Sequence, residues 1–380
     1  MSETPDFGLY LHWPFCAAKC PYCDFNSHVR ARIDEALWKQ AFLAEIRRVR
    51  VETGPRVLKS IFLGGGTPSL MSPELVDALL QASKDAWAWS NDIEITLEAN
   101  PTSIEAERFA GYRDAGVNRV SLGVQALREK DLRLLGRLHS VEEALQGLQT
   151  ARDTFERVSF DLIYARQYQT LDQWDAELRE ALSFDPDHLS LYQLTIEPET
   201  AFGKRFDAGA LPGLPDEDTG ADMYERTQEI CEAHGLHAYE VSNHAKTGAE
   251  SRHNMLYWQQ QDWAGIGPGA HGRLTIDEVR YATETHLSPE SWLAAVKDQG
   301  DGTSVKNTLD RQGQLGELLL LGLRVTDGIS TERLARLGWD QNCRAVVSML
   351  DDKFIEIVND RLCATAKGRP VLNAIISQML

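Results

Sequence analysis

Apolar residues recur along the first two-thirds of this chain in two alternating rhythms. Short runs at 8–12, 60–63, 93–97, 120–124, 158–162 and 188–194 are either continuously apolar or alternate with period two, and they read as strands. Between them lie helical patterns. Trp38, Phe42, Ile46 and Val49 fall on one helix face, and Ser72 followed by Pro73 opens a helix to about Trp87. Thr102-x-x-Glu105, Ser140-x-x-Glu143 and Thr170-x-x-Gln173 are capping boxes for three more, the first of which ends at Gly116. Strand and helix in strict alternation predict parallel βαβ units. Six units are too few to close an eight-stranded barrel, so the expected fold is α/β, a partial (βα)6 TIM-like barrel with its site at the C-terminal strand ends.

After 194 the rhythm loosens. Residues 197–218, rich in Pro and Gly, read as a long connection, followed by a helix over 218–234 and a strand over 236–241. His253-Asn254-Met255-Leu256-Tyr257-Trp258 and Gly267-Pro268-Gly269-Ala270-His271 read as aromatic and glycine-rich loops. From about Leu309 the pattern is helix, short helix, helix, strand, helix, a small winged-helix-like domain. The expected organisation is a core barrel over 1–243, a connecting region over 244–305 and a C-terminal domain over 306–380.

Composition narrows the function. The chain has 380 residues and a formal net charge of -18, which disfavours nucleic acid as a partner. Its short basic cluster, Arg47, Arg48 and Arg50, reads as a solvated helix face. It contains no run of 18 apolar residues, and Met1-Ser2-Glu3-Thr4 does not begin a signal peptide, so a cytoplasmic protein is expected. Cys231, Cys343 and Cys363 are scattered and read as buried free thiols.

The other three cysteines are not scattered. Cys16-Ala17-Ala18-Lys19-Cys20-Pro21-Tyr22-Cys23 is a C-x3-C-x2-C loop delivered by the first strand. In a reducing compartment, clustered thiols are metal ligands before they are disulfide partners. Three thiolates this close can hold a cubane cluster and leave one iron open for chemistry. The other strand ends carry Gly64-Gly65-Gly66-Thr67-Pro68, Glu98-Ala99-Asn100, Gly123-Val124-Gln125 and Asp161. Glycines there let the backbone approach a ligand, with N–H and C=O groups available to a small polar molecule. Each is weak alone, but together on one rim above the cysteine loop they make a site.

These motifs, with Gly116-Val117-Asn118-Arg119-Val120-Ser121-Leu122-Gly123-Val124-Gln125, Tyr192-Gln193-Leu194-Thr195-Ile196-Glu197-Pro198 and His253-Asn254-x-x-Tyr257-Trp258, resemble the radical S-adenosylmethionine (SAM) superfamily. The resemblance is strongest to the branch holding oxygen-independent coproporphyrinogen III dehydrogenases and haem chaperones, and it covers nearly the whole chain. It implies that Cys16, Cys20 and Cys23 bind a [4Fe–4S] cluster whose open iron is chelated by SAM. It further implies that Tyr10 and Tyr22 flank cluster and cofactor, that Gly65, Gly66 and Thr67 hold the methionyl amino end, and that Glu98, Gln125, Arg137 and Asp161 meet its polar parts. The cofactor pair would supply reductive cleavage of the sulfonium C–S bond.

The chain departs from the dehydrogenases in two ways. Phe25 stands where they carry a fourth cysteine, and only 15 residues precede Cys16. Both differences disfavour coproporphyrinogen decarboxylation and favour a chaperone that binds haem and passes it to acceptor proteins, respiratory membrane proteins among them, with a reductant protein as a further partner and a peripheral place at the inner membrane face. Ala165-Arg166-Gln167-Tyr168-Gln169 replaces the Gly-Leu-Pro turn of relatives. His253 has two readings: with Asn254 it hydrogen-bonds a loop under which Tyr257 and Trp258 pack, or, exposed beside those aromatics, it ligates haem iron, with His271 the next candidate.

Overall fold

Strand alternation here separates an apolar outer face from a polar inner one. The computed structural model describes residues 5–380, so Met1–Thr4 lie outside it. Six parallel strands run in chain order: β1 (Phe7–Trp13), β2 (Val57–Gly65), β3 (Ala88–Ala99), β4 (Arg119–Gln125), β5 (Arg157–Tyr164) and β6 (His188–Gln193). The helices between them include α1 (Glu35–Thr53), α2 (Pro73–Ala86), α3 (Phe109–Ala115), α4 (Val141–Thr154) and α5 (Leu171–Ser183). Leu9, Leu11, Ile61, Leu63, Ile95, Leu97, Val120, Leu122, Phe160 and Leu162 are all buried in the one large core. The intervening positions, Ser60, Glu94, Thr96, Glu98, Arg119, Ser159 and Asp161, carry polar groups. Helix initiation follows the expected caps at Ser72, Ser140 and Thr170, the last two with both reciprocal bonds of the box.

Beyond β6, α6 (Glu217–Ala233) leads to two short strands, β7 (His237–Ala238) and β8 (Asn243–Ala245), which finish one edge of the sheet antiparallel. The chain then crosses to the other edge. Helix α7 (Arg252–Trp258) precedes β9 (Asp262–Ile266), which pairs parallel to β1 from Phe7↔Asp262 to Leu11↔Ile266. Strands β10 (His271–Ile276), β11 (Val279–Thr285) and β12 (Thr303–Thr308), the last two separated by α8 (Pro289–Gln299), extend that edge antiparallel. The strand order is therefore β12-β11-β10-β9-β1-β2-β3-β4-β5-β6-β8-β7, an open barrel wall with no pairing between its ends among the described residues. Four helices and a three-stranded antiparallel sheet form a second core over the C-terminal residues, around Leu318, Leu319, Leu323, Ile329, Leu334, Met349 and Ile375.

Several local expectations change. The Thr102–Glu105 box is half made: Thr102 Oγ1 accepts the Glu105 N–H, but the Glu105 carboxylate turns to the Asn100 N–H and the Ser69 hydroxyl. The helix accordingly breaks into Ser103–Ala106 and α3. The connection over 197–218 contains a helix, Ala201–Asp207. The His253–Trp258 motif is helical rather than a loop, and the C-terminal strand is a hairpin, Ile355–Val358 with Arg361–Ala364. Cys231 is buried as expected, but Cys363 is half-buried and Cys343 exposed.

Candidate functional site

The end of β1 and the end of β2 are stitched together, and the cysteine loop hangs from the stitch. The Gly66 N–H donates to the Trp13 carbonyl at 2.7 Å and the Thr67 N–H to the Phe15 carbonyl at 2.8 Å. Gly65 sits at φ +110°, and a Cβ on Gly66 would lie 2.7 Å from the Phe15 oxygen, so both positions require glycine. The Gly65 N–H donates to Glu98 Oε2 at 3.1 Å. All three amide donors of this turn are therefore engaged within the protein. The expectation that its N–H groups bind a ligand is corrected: only its carbonyls remain to meet one, which suits an ammonium group.

Cys16, Cys20 and Cys23 are free thiols, half-buried, and all three line one open cavity at the C-terminal strand ends. Thr67 Oγ1 donates to Cys16 Sγ at 3.3 Å, and Arg137 Nη1 lies 3.3 Å from Cys20 Sγ. Burial pushes the Cys16 and Cys23 thiols up, so a bound metal, not the empty pocket, would favour their thiolates. Tyr22 lines the cavity with its ring against Phe202.

The opposite wall is acidic. Glu98, Asp161, Gln125, Arg137, Gly65, Gly66 and Thr67 all face the same space. Burial, with Asp161 nearby, pushes the Glu98 carboxyl up to about 8, and burial pushes Asp161 up to about 6. Neither carboxyl makes a direct ion pair, although Arg119 acts on both from nearby, so a cationic ligand group would find two acidic partners here. Arg137 is clamped by Asn100 Oδ1 at 2.6 Å and the Gly123 carbonyl at 2.9 Å, yet its buried Nε has no partner. An irregularity between Leu122 and Gln125 ends β4, and Gln125 takes φ +70°. That bulge turns Gln125 toward the cavity, a device common beside binding sites. Asn100, Ser121 and His139 also line the cavity and were not singled out from sequence; Asn100 was visible only as part of the Glu-Ala-Asn strand end.

Two expected residues lie elsewhere. Tyr10 is inside the barrel rather than on the cavity wall, its hydroxyl 2.9 Å from His12 Nδ1 and its ring tilted against Phe62. His253 is not exposed: it is 0% accessible, with Nδ1 2.7 Å from Ser60 Oγ and Nε2 2.7 Å from the Tyr257 hydroxyl. Its ring stacks on Phe62 at 5.1 Å. The start of its helix is held by Glu94, which accepts from the Arg252 and His253 N–H groups and pairs with Arg157 at 2.6 Å. Of the two readings the sequence left open for His253, the geometry matches the hydrogen-bonded one, although on a helix rather than a loop. His271 is the opposite case. Its side chain is 57% exposed, 3.9 Å from Glu284, just after the loop whose Pro268 carbonyl accepts from Asn26.

The site residues fit the cofactors the motifs imply: three soft donors on one loop, a carboxylate wall for cationic and hydroxyl groups, and a guanidinium for a carboxylate. Comparison with known proteins agrees. Residues 10–181 match the Radical SAM superfamily and residues 309–371 the HemN C-terminal domain. The chain is 38% identical over 385 residues to the mitochondrial radical S-adenosyl methionine domain-containing protein 1 of Bos taurus, covering 98% of this chain and 87% of that one. It is 41% identical over 287 residues to the heme chaperone HemW of Escherichia coli K12, covering 75% of each, and 36% identical over 334 residues to HemW of Bacillus subtilis, covering 86% of each. In three dimensions it superimposes on the coproporphyrinogen III oxidase HemN of Escherichia coli with a TM-score of 0.83, over 99% of this chain and 90% of that one, at 21% identity. That last likeness establishes the fold alone.

Proposed function

Because this chain belongs to the radical SAM superfamily, in the family that contains HemW, we propose that it binds haem and delivers it to acceptor proteins. The observation that carries this reading is the match to HemW chains over three-quarters or more of their length. Phe25 at the fourth-cysteine position supports it.

Cys16, Cys20 and Cys23 would hold a [4Fe–4S] cluster, with the methionyl end of SAM on the open iron. Together these groups supply reductive cleavage of a sulfonium C–S bond when bound. The protein's own contributions are positional. Thr67 and Arg137 place hydrogen-bond donors on two cysteine sulfurs. The turn at Gly65–Thr67 would present carbonyls to the ammonium, and Glu98, Asp161 and Gln125 would take the remaining polar groups. Tyr22, beside Cys20 and Arg137, covers one side of the loop.

For the haem iron, His271 is the better placed of the two candidate imidazoles. It is exposed, and Glu284 beside it can orient the ring, whereas both His253 nitrogens are engaged. Acceptor proteins, a reductant and a position at the membrane surface belong to the same reading; no helix of the described chain is long and apolar enough to cross a membrane.

The test is anaerobic reconstitution followed by haem titration, with cluster-free protein in parallel. About four irons per chain are expected, falling to background in Cys16→Ser, with one haem bound per chain and no conversion of coproporphyrinogen III. Absence of a Soret band in both preparations, or formation of protoporphyrinogen, would overturn the chaperone reading.

A further inference from the structure

The cysteine loop is stitched at its base. Phe15 pairs in parallel with His28 and Cys16 with Val29, and the His28 N–H donates to the Pro14 carbonyl at 2.7 Å. Lys19, between the first two cysteines, adds its ammonium 3.5 Å from the Phe25 carbonyl and 3.4 Å from that of Ser27. Asn26 ties this unit to a distant part of the chain. Its Nδ2 donates to the Pro268 carbonyl, between β9 and β10, and to the Leu287 carbonyl, between β11 and α8, both at 2.9 Å. Its Oδ1 lies 3.1 Å from His28 Nε2, and its own carbonyl 2.9 Å from His12 Nε2. Both amide protons and the amide oxygen of the side chain are thus engaged.

The receiving backbone is shaped for this contact. A Cβ on Gly269 would lie 2.3 Å from Asn26 Nδ2, and one on Gly267 2.3 Å from the His12 carbonyl oxygen, so the loop closes on these neighbours only with glycine at both. Thr285 Oγ1 holds it from behind, donating to the Gly267 carbonyl and accepting the Ala270 N–H at 2.9 Å. His271 follows at the start of β10, its carbonyl accepting from Trp263 Nε1 at 3.0 Å. None of residues 265–272 lines the cysteine cavity. The glycines of this segment therefore serve its packing against the cysteine loop.

We propose that Asn26 is a positioning residue that makes the cysteine loop and the loop before His271 one unit, so that filling the cluster site fixes the backbone that presents His271. The inference goes beyond the haem reading and rests on the cluster assignment alone. Three thiolates held by one metal group cannot move independently, so loading orders the loop that carries them. Asn26 hands that order on through its two bonds to Pro268 and Leu287. The coupling is reciprocal: whatever loosens the backbone before His271 also loosens the hold on the cluster.

Backbone hydrogen exchange over residues 265–272, followed by mass spectrometry in cluster-free and anaerobically reconstituted protein, tests this. Reconstitution is expected to slow exchange there by roughly fivefold or more in the wild-type chain and to leave it nearly unchanged in Asn26→Ala. The electron paramagnetic resonance spectrum of the reduced cluster should also differ between Asn26→Ala and the wild type, a change that lost stability alone would not make. Thr285→Val runs the test from the far side and decides it if Asn26→Ala holds no iron. It alters no group of the cysteine loop, yet should lose iron to a chelator about fivefold faster than the wild type. Equal exchange in loaded and cluster-free wild-type protein, with about four irons bound, would overturn the coupling. So would full slowing in Asn26→Ala, or wild-type iron retention in Thr285→Val. No iron bound by the wild-type chain would instead overturn the cluster assignment.

Discussion

At the scale of single residues, the site turns on a pair of acids. Glu98 and Asp161 are held above the usual carboxylate range by burial, and Glu98 also by its neighbour. With Glu98 at about 8, its carboxyl is protonated at pH 7 in the free protein. A cationic ligand group reverses that preference and draws the pKa down. SAM binding at pH 7 is therefore expected to release close to one proton, measured by calorimetry in buffers of different ionisation enthalpy. Glu98→Gln should abolish the release; a release of the same size in that variant would show that another group titrates. These acids were legible in the sequence as strand-end residues, as were the three cysteines and Gln125 through their motifs; Arg137 came only through the family resemblance. Their coupling was not legible, because it depends on β3 and β5 bringing two carboxyls under one roof. The choice between the two readings of His253 was not legible for a similar reason: its partners, Ser60 and Tyr257, come from a strand 193 residues away and from its own helix turn.

At the scale of elements, helix and strand order followed from periodicity because nearly every core helix carries its own start signal. The exceptions are short. Helix α7 has only seven residues, too few for a helical period to stand out, although Ser251 caps it by accepting the Asn254 N–H. Strand β9 is only five residues long and opens on Asp262, and its place beside β1 follows from topology rather than from any local pattern. The most sensitive element is the β2 turn. Gly66→Ala forces a methyl to 2.7 Å from the Phe15 oxygen, next to Cys16. The expected result is a loss of about 1–3 kcal/mol in stability and an iron content well below four per chain after reconstitution. Full cluster loading with an unchanged melting temperature would show that the turn yields without cost.

For the whole molecule, the buried titratable groups set opposite limits on stability. Burial lowers His253 to about 3 and His139 and His244 to about 4, from an ordinary 6.5. Below pH 6.5 the unfolded chain takes up protons that the folded one refuses, so stability falls with falling pH. Glu98 and Asp161 act in the other sense. Their folded values lie above the unfolded ones, so their contribution is complete in acid and lost as pH rises through about 6 for Asp161 and about 8 for Glu98. The cofactor-free protein should be most stable at about pH 7, read as melting temperature against pH. Glu98→Gln should flatten the alkaline side and steepen the acid side above about pH 4.5, where the unfolded Glu98 is already ionised and opposes the histidines. The open-barrel architecture was legible from the βα rhythm, which loosens after residue 194. The four-strand extension was not, because its strands follow no crossover rhythm.

The pairing of β1 with β9 also orders events in time. The strand that presents the cysteines lies between β2 and a neighbour that begins at Asp262, and Asn26 is fastened to Pro268 and Leu287. A chain emerging from the ribosome exposes its three thiols early, but the contacts that hold their loop span some 250 residues and form only after most of the polypeptide has appeared. Contacts so distant in sequence are slow to close. The loop that gathers the three cysteines is thus completed late in synthesis, and until then its thiols are open to oxidation and to stray metal. This protein therefore depends on the reducing power of its compartment most during the interval between the synthesis of Cys23 and the arrival of β9.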